Sequence, residues 1–280
     1  VTNGVIYMTW GANAINQAEN SMATLWKKAG ADMPVMVVGD EEAQAHFSED
    51  PRVQFVLIDV NPFDGQKARG FQFLAGRIKP LLAAISPFDR TLYVDADTAF
   101  KQSPKIGFDL LDRWDMVVAE TETRSLVEGI AGLKECKATA GWLGTHHILY
   151  HNSGMIFWKR NERTLKLFDL WHEEWLVHAC WDEQVALLRA LLKSDVMFLT
   201  VPYTWNCIRE KESHILHHWF GAGDARVNMR SVSHSRSSEA ETRKMTRVEI
   251  APGRLVKCYA GDEEKVRAFY QEQLKGRTIS

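Results

Sequence analysis

The 280-residue sequence predicts an α/β fold in which one mostly parallel sheet is flanked by helices. Strand-like and helix-like segments alternate along the first half, and that alternation builds a parallel sheet covered on its faces. An apolar strand at Thr91–Val94 runs straight into Asp95-Ala96-Asp97, so a strand read as central ends in acids at the edge where open α/β sheets bind ligands. The length suffices for one large domain with a full core, and no second full domain is required.

The elements follow in order. Val5 to Thr9 reads as the first strand, about Ala14 to Ala29 as a helix, Pro34 to Val38 and Val53 to Val60 as strands. A second helix, roughly Phe71 to Ala84, leads into the acidic strand, and Met116 to Ala119 is a further short buried strand. From Thr121 to Thr145 the pattern loosens into charged, Gly-containing sequence, read as a variable excursion and not a core layer. Met155 to Trp158 is strand-like, and Thr164 to Val177 carries Leu167, Leu170, Trp171 and Trp175 at helical spacing, a core stripe. Asp182 to Leu192 is another helix and Val196 to Val201 another strand. Ser231 to Lys244 is polar enough for a mobile loop, and a helix from Asp262 to Leu274 closes the chain. Residues 1–228 are thus the main domain, and 229–280 a polar loop with a C-terminal helical extension packed on it.

Successive strand side chains point to opposite faces, so Asp95 and Asp97 lie on the same side and can reach one ion. Hard carboxylate oxygens favour Mg²⁺ or Mn²⁺, and few protein ligands leave coordination positions for phosphate oxygens. An exposed acidic turn is the competing explanation of so short a motif. The buried strand before it and its place at the strand's carboxyl end favour the metal.

Bulk composition excludes more than it identifies. A net charge of −2 and a pI near 6.6 lack the basic footprint of a general nucleic-acid binder. The cysteines Cys136, Cys180, Cys207 and Cys258 are far apart, with neither a Cys-x-x-Cys pair nor a disulfide-framework spacing, which suits reduced thiols in a cytoplasmic protein. No apolar run reaches the roughly 20 residues of a membrane span. A strand so near the first residue leaves no room for a signal peptide, so the expectation is an unexported protein.

Four further segments give the acidic pair a context. They are Tyr7-Met-Thr9-Trp10-Gly11 followed by a helix, Lys79 sixteen residues before Asp95, Asn152-Ser153-Gly154, and His218-Trp-Phe-Gly221. In this order they resemble the GT-A nucleotide-diphospho-sugar transferases, most closely the glycogenin-like family 8 glycosyltransferases, over about residues 5 to 221. The resemblance implies a GT-A, Rossmann-like fold and a metal-dependent glycosyltransferase that moves a sugar from a nucleotide diphosphate, a UDP-sugar first, to an acceptor hydroxyl with retention of configuration.

It also implies roles. Asp95, Asp97 and His218 would hold Mn²⁺ or Mg²⁺, with His217 the alternative imidazole. Thr9 and Trp10 would position the base, Ala96 and Gly221 would line the nucleotide, and Lys79 would face a phosphate or balance the acids. Asn152 and Gln184 would hold the sugar. Asp182-Glu183-Gln184 resembles the family's Asp-Gln-x-x-Leu segment, yet if Gln184 aligns with that Gln, the acid beneath the anomeric carbon is Glu183 in place of Asp. Either Asp182 or Glu183 could then be the catalytic carboxylate, although acids in a helix's first turn also simply favour its dipole. Tyr203-Thr-Trp205-Asn206 resembles the loop that bears an Asn near the acceptor cleft.

Two rivals come from other classes. A nucleotidyltransferase would open with a Gly-rich, basic phosphate loop, which Gly11-Ala-Asn-Ala lacks. A non-catalytic sugar-nucleotide-binding protein would be expected to lose ligands, and both aspartates are present. The acceptor is open: glycan, protein, small molecule, lipid head group or a modified nucleic-acid base.

Overall fold

The computed structural model describes residues 1–58, 77–122, 126, 133–178, 183–218, 245–251, 254–259, 263–265 and 267–268. Strands β1 (Asn3–Thr9), β2 (Val35–Gly39), β3 (Val53–Leu57), β4 (Arg90–Val94), β6 (Met116–Glu120), β7 (His151–Lys159) and β8 (Phe198–Val201) form a 7-stranded sheet in the order β3-β2-β1-β4-β7-β6-β8. Only β7 runs antiparallel to its neighbours, β4 and β6. A second sheet of three short strands sets β5 (Thr98–Phe100) antiparallel to β10 (Leu216–His218), which pairs with β9 (Asn206–Cys207).

Alternation along the strands splits the core into two faces. Ile6, Met8, Tyr93, Val118 and Ile156 point to one side and pack on helices α6 (Glu162–His178) and α7 (Gln184–Lys193) through Leu167, Phe168, Trp171, Trp175, Leu187 and Leu191. Tyr7, Val37, Leu92, Val94 and Phe157 point to the other, against α1 (Gly11–Ala29) and the short α4 (Lys105–Leu110). Each fully buried Leu, Ile or Phe contributes roughly 1.5–3 kcal/mol, so the aromatic stripe of α6 is core, as its spacing predicts.

Several boundaries shift. The helix expected from Ala14 starts at Gly11, whose φ of 76° suits glycine at the strand-to-helix junction. Its amide donates to Asp40 Oδ2 (3.1 Å) while Asp40 Oδ1 caps α2 (Glu41–Phe47) through Ala43 N (3.0 Å), so one carboxylate serves two helix starts. Where a helix is expected before β4, the described residues 77–85 are helical throughout, with a 3₁₀ turn, Lys79–Leu81, at Pro80 before a last turn of helix, α3 (Leu82–Ile85). The 71–76 part lies outside the described residues.

Two segments hold elements that the sequence pattern does not announce. The 121–145 excursion contains a helix, α5 (Leu133–Leu143), with Glu135 and Cys136 buried. Between the expected polar loop and the closing helix, where no element was assigned, lies a hairpin, β11 (Met245–Ala251) with β12 (Arg254–Tyr259); Val248 enters the core beside α6. Of the closing helix, 263–265 and 267–268 are helical, and the 231–244 loop lies outside the described residues.

Candidate active site

β4 ends at Val94 and β5 begins at Thr98, so Asp95-Ala96-Asp97 forms the link between the two sheets. Thr98 Oγ1 donates to Asp95 O (2.9 Å), which closes that link. With its proton spent there, Thr98 accepts from Ser21 Oγ (2.8 Å), and Ser21 in turn accepts from the Tyr7 hydroxyl (3.1 Å). A buried run of hydroxyls thereby ties the acidic link to α1 and β1.

His218 pairs with Thr98 across β10 and β5, which puts its ring beside the acids. His218 Nε2 lies 3.1 Å from Asp97 Oδ1 and 3.7 Å from Asp95 Oδ2, and a ligand atom from each of the three residues lies within 4.8 Å of the others. The neighbouring His217 points away, its Nε2 meeting Ile208 O at 3.2 Å. Of the two histidines, His218 is the one whose ring stands beside the acids.

Gly154 closes the other wall. A Cβ there would stand 2.6 Å from Asp95 Oδ2 and 2.7 Å from His218 Cε1, so only glycine leaves the space between the donors open. The pairing of β6 with β7 shifts between Val118 and Ala119, opposite Ser153 and Gly154, and such a bulge re-aims the side chains it carries. Asn152-Ser153-Gly154, expected ahead of a strand, therefore lies within β7. Two carboxylates, one imidazole and a glycine-cleared gap fit a divalent cation.

Lys79, 4 % exposed, sits behind this gap. Its Nζ contacts Asp95 Oδ1 (3.1 Å), Glu183 Oε1 (2.8 Å) and Ser153 Oγ (3.2 Å), which occupies all three ammonium protons. Burial alone would depress the Lys79 pKa, but the Asp95 and Glu183 carboxylates outweigh it and hold the ammonium above its ordinary value. Burial likewise pushes Asp95 up, and Lys79, His218 and the Tyr93 hydroxyl overcome that and keep it below its ordinary value. Glu183 is fixed at the start of α7 by Trp171, whose Nε1 donates to Glu183 O (2.9 Å), and Ser153 Oγ donates to Glu183 Oε1 (2.6 Å).

Asn152 Oδ1 accepts from Gly154 N (2.7 Å) and from Asn206 Nδ2 (3.0 Å), so its amide orientation is set and its NH₂ is the group left to donate. Thr9 is fully buried at the end of β1, and its Oγ1 has no hydrogen-bond partner among the described residues. Trp10 is half-buried at the start of α1, Ala96 is buried between the acids, and Gln184 opens α7. Asp182 and Gly221 lie outside the described residues.

Sequence reasoning gave Tyr93 no role, and it named Ser153 and Gly154 only within the segment Asn152-Ser153-Gly154, with no contact to the acids or to Glu183. Tyr93 donates to Asp95 Oδ1 at 2.5 Å, and its position two residues before Asp95 on a strand is the signal that could have found it. Ser153 meets Glu183 across the fold, which no local pattern reveals.

No protein-family model and no curated protein sequence matches this chain. Among solved structures it is similar to mouse xyloside xylosyltransferase 1 in its apo form, with 14 % identity, 74 % of this chain and 87 % of that chain covered, and a TM-score of 0.51. It is also similar to the galactosyltransferase LgtC in complex with donor and acceptor sugar analogs, with 13 % identity, 72 % and 74 % covered, and a TM-score of 0.50. The WbbM bifunctional glycosyltransferase matches at 14 % identity and a TM-score of 0.51, over 73 % of this chain but only 39 % of that chain. At this identity the likeness shows the fold, which is that of the GT-A glycosyltransferases.

Proposed function

We propose that this chain is a metal-dependent glycosyltransferase that moves a sugar from a nucleotide diphosphate, a UDP-sugar first, to an acceptor hydroxyl. The observation that carries the reading is the convergence of Asp95, Asp97 and His218 on a glycine-cleared gap at the carboxyl edge of the central strand, within a GT-A fold. A Mn²⁺ or Mg²⁺ ion held there would offset the negative charge that grows on the departing diphosphate.

The chain's own residues supply binding and orientation. Thr9 ends β1 where the base would lie, its buried hydroxyl without a partner among the described residues, with Trp10 beside it. Asn152 offers its amide N–H groups to the sugar, and Gln184 reaches from the start of α7, so the anomeric carbon is held for attack. Glu183 Oε1 is bonded to both Ser153 and Lys79, which makes it a poor base for the acceptor and supports retention of configuration. The use of the Gly11 amide on Asp40 favours transfer over nucleotidyl transfer, since the first strand-to-helix turn has that donor already spent.

The reading is tested by nucleotide release from a panel of UDP- and GDP-sugars with Mn²⁺, with and without chelator, in the native chain and Asp97→Ala. Slow, metal-dependent hydrolysis of one donor, lost in the variant, is the expected result. No hydrolysis of any donor and no metal-dependent nucleotide binding would overturn it.

A further inference from the structure

Three carboxylates and one ammonium share this centre: Asp97 and Asp95 at the gap, Lys79 behind Asp95, and Glu183 behind Lys79. Asp95 divides its oxygens. Oδ1 takes Tyr93 and Lys79, and Oδ2 faces the gap with His218. Lys79 is therefore not an idle counter-ion; it draws on the same carboxylate that a cation needs. An ammonium 3.1 Å from a cation ligand would compete with and repel that cation unless its own charge were answered elsewhere. Glu183 answers it at 2.8 Å, in a buried setting where screening by water is weak.

We infer that Glu183 is a positioning residue whose carboxylate neutralises Lys79 and thereby keeps Asp95 available to a divalent cation, with Ser153 locking that carboxylate in place. The charges support it. The three carboxylates and the one ammonium sum to −2, which a divalent cation balances; without the Glu183 charge they sum to only −1. Ser153 completes the device from the β7 bulge, since its hydroxyl donates to Glu183 Oε1 (2.6 Å) and accepts from Lys79 (3.2 Å). The inference rests on the cation reading of the gap, but not on which donor or acceptor is used.

The test is Mn²⁺ affinity of the full chain, measured by titration without any nucleotide, in the native protein, Glu183→Gln, Ser153→Ala and the double variant Lys79→Met with Glu183→Gln. Outer partners of metal ligands are worth roughly 10–100-fold in affinity. Glu183→Gln should weaken Mn²⁺ about tenfold and Ser153→Ala by less. The double variant should return to within about threefold of native, because both charges leave together and Asp95 is released. A Glu183→Gln protein that binds Mn²⁺ like the native chain overturns the inference, as does a double variant no better than Glu183→Gln. Native protein that binds no Mn²⁺ overturns the cation reading and this inference with it. Mn²⁺ binding that follows the expected order, with no donor ever hydrolysed, supports this inference while the transferase reading fails.

Discussion

Tyr93 donates its phenolic hydroxyl to Asp95 Oδ1 at 2.5 Å, and that bond turns the other oxygen of the carboxylate toward His218. Both residues stand on one face of the same chain run, two positions apart, so strand geometry alone brings them together. Burial and the nearby Asp95 charge hold the phenol's pKa well above its ordinary value, which keeps it a donor throughout the working range.

Tyr93→Phe keeps the ring in the core and removes only that donor. We expect Mn²⁺ affinity to fall about tenfold, as for other partners of metal ligands, while thermal stability changes little. Titration of Mn²⁺ beside a melting curve checks it, and an unchanged affinity would show that Lys79 alone orients Asp95.

The two adjacent histidines give a sharper contrast. His218→Ala removes a buried ring beside both acids, and its Mn²⁺ affinity should drop by at least about tenfold. His217→Ala, whose ring turns to Ile208 O, should stay within about twofold. Equal losses in the two variants would contradict the selection of His218.

Gly154→Ala tests the gap itself. The added methyl would meet Asp95 Oδ2 and His218 Cε1 at 2.6 and 2.7 Å, so either the donors part or the β7 bulge shifts. Overpacking of this kind costs typically about 1–3 kcal/mol, and cation binding should be lost along with it. A stable variant that binds Mn²⁺ normally would mean that the cation does not lie between Asp95 and His218.

How much of this was legible beforehand follows from where each signal lies. Asp95 and Asp97 are close in sequence, and a buried strand announces them, so the candidate ion site and its central strand could be read directly. The stripe of Leu167, Trp171 and Trp175 could be read for the same reason. Ser153 and Glu183 are thirty residues apart and meet only because a bulge and a helix start converge, a fact of tertiary packing that no local pattern encodes. The hairpin at 245–259 pairs two short runs, Met245–Ala251 and Arg254–Tyr259, that follow a long polar stretch, and neither run was read as a strand; Val248 is buried there.

Asp115 gives a pH prediction away from the site. It is fully buried and receives Arg163 Nε (2.7 Å), Asn161 Nδ2 (2.8 Å) and Met197 N (3.0 Å), tying β7, α6 and β8 together. Burial raises its pKa, but Arg163 and the other donors outweigh that and hold it well below the ordinary value of 3.8. A folded pKa below the unfolded one means that this stabilisation is complete above about pH 4 and is lost as pH falls toward the folded value. Asp115→Asn should therefore be less stable than native by about 2 kcal/mol at pH 7. Denaturant titrations should show the difference shrinking below pH 4, and a pH-independent difference would count against the charge as its cause.

The excursion helix α5 offers the last prediction. Arg189, buried on α7, reaches Glu135 Oε1 (2.7 Å) and Thr139 Oγ1 (2.8 Å) on α5, and Glu174 Oε2 (2.8 Å) on α6, while Lys193 also meets Glu174 (2.5 Å). Arg189 is the shared partner that joins all three helices. Arg189→Met leaves Glu135 buried without its cation, which should cost about 3–5 kcal/mol. Among the described residues the other contacts of α5 are Cys136 and Ala140 in a small cluster with Leu188 and Val185, and Trp142 under Lys193, so α5 should release before the sheet unfolds. Limited proteolysis should then cut within 133–143 under conditions where the rest of the chain resists. Adding Glu135→Met removes the stranded charge and should recover most of the stability, since a buried ion pair exchanged for well-packed apolar groups is close to neutral. If the double variant is no more stable than Arg189→Met, the helix is held by packing alone and the ion cluster is not its anchor.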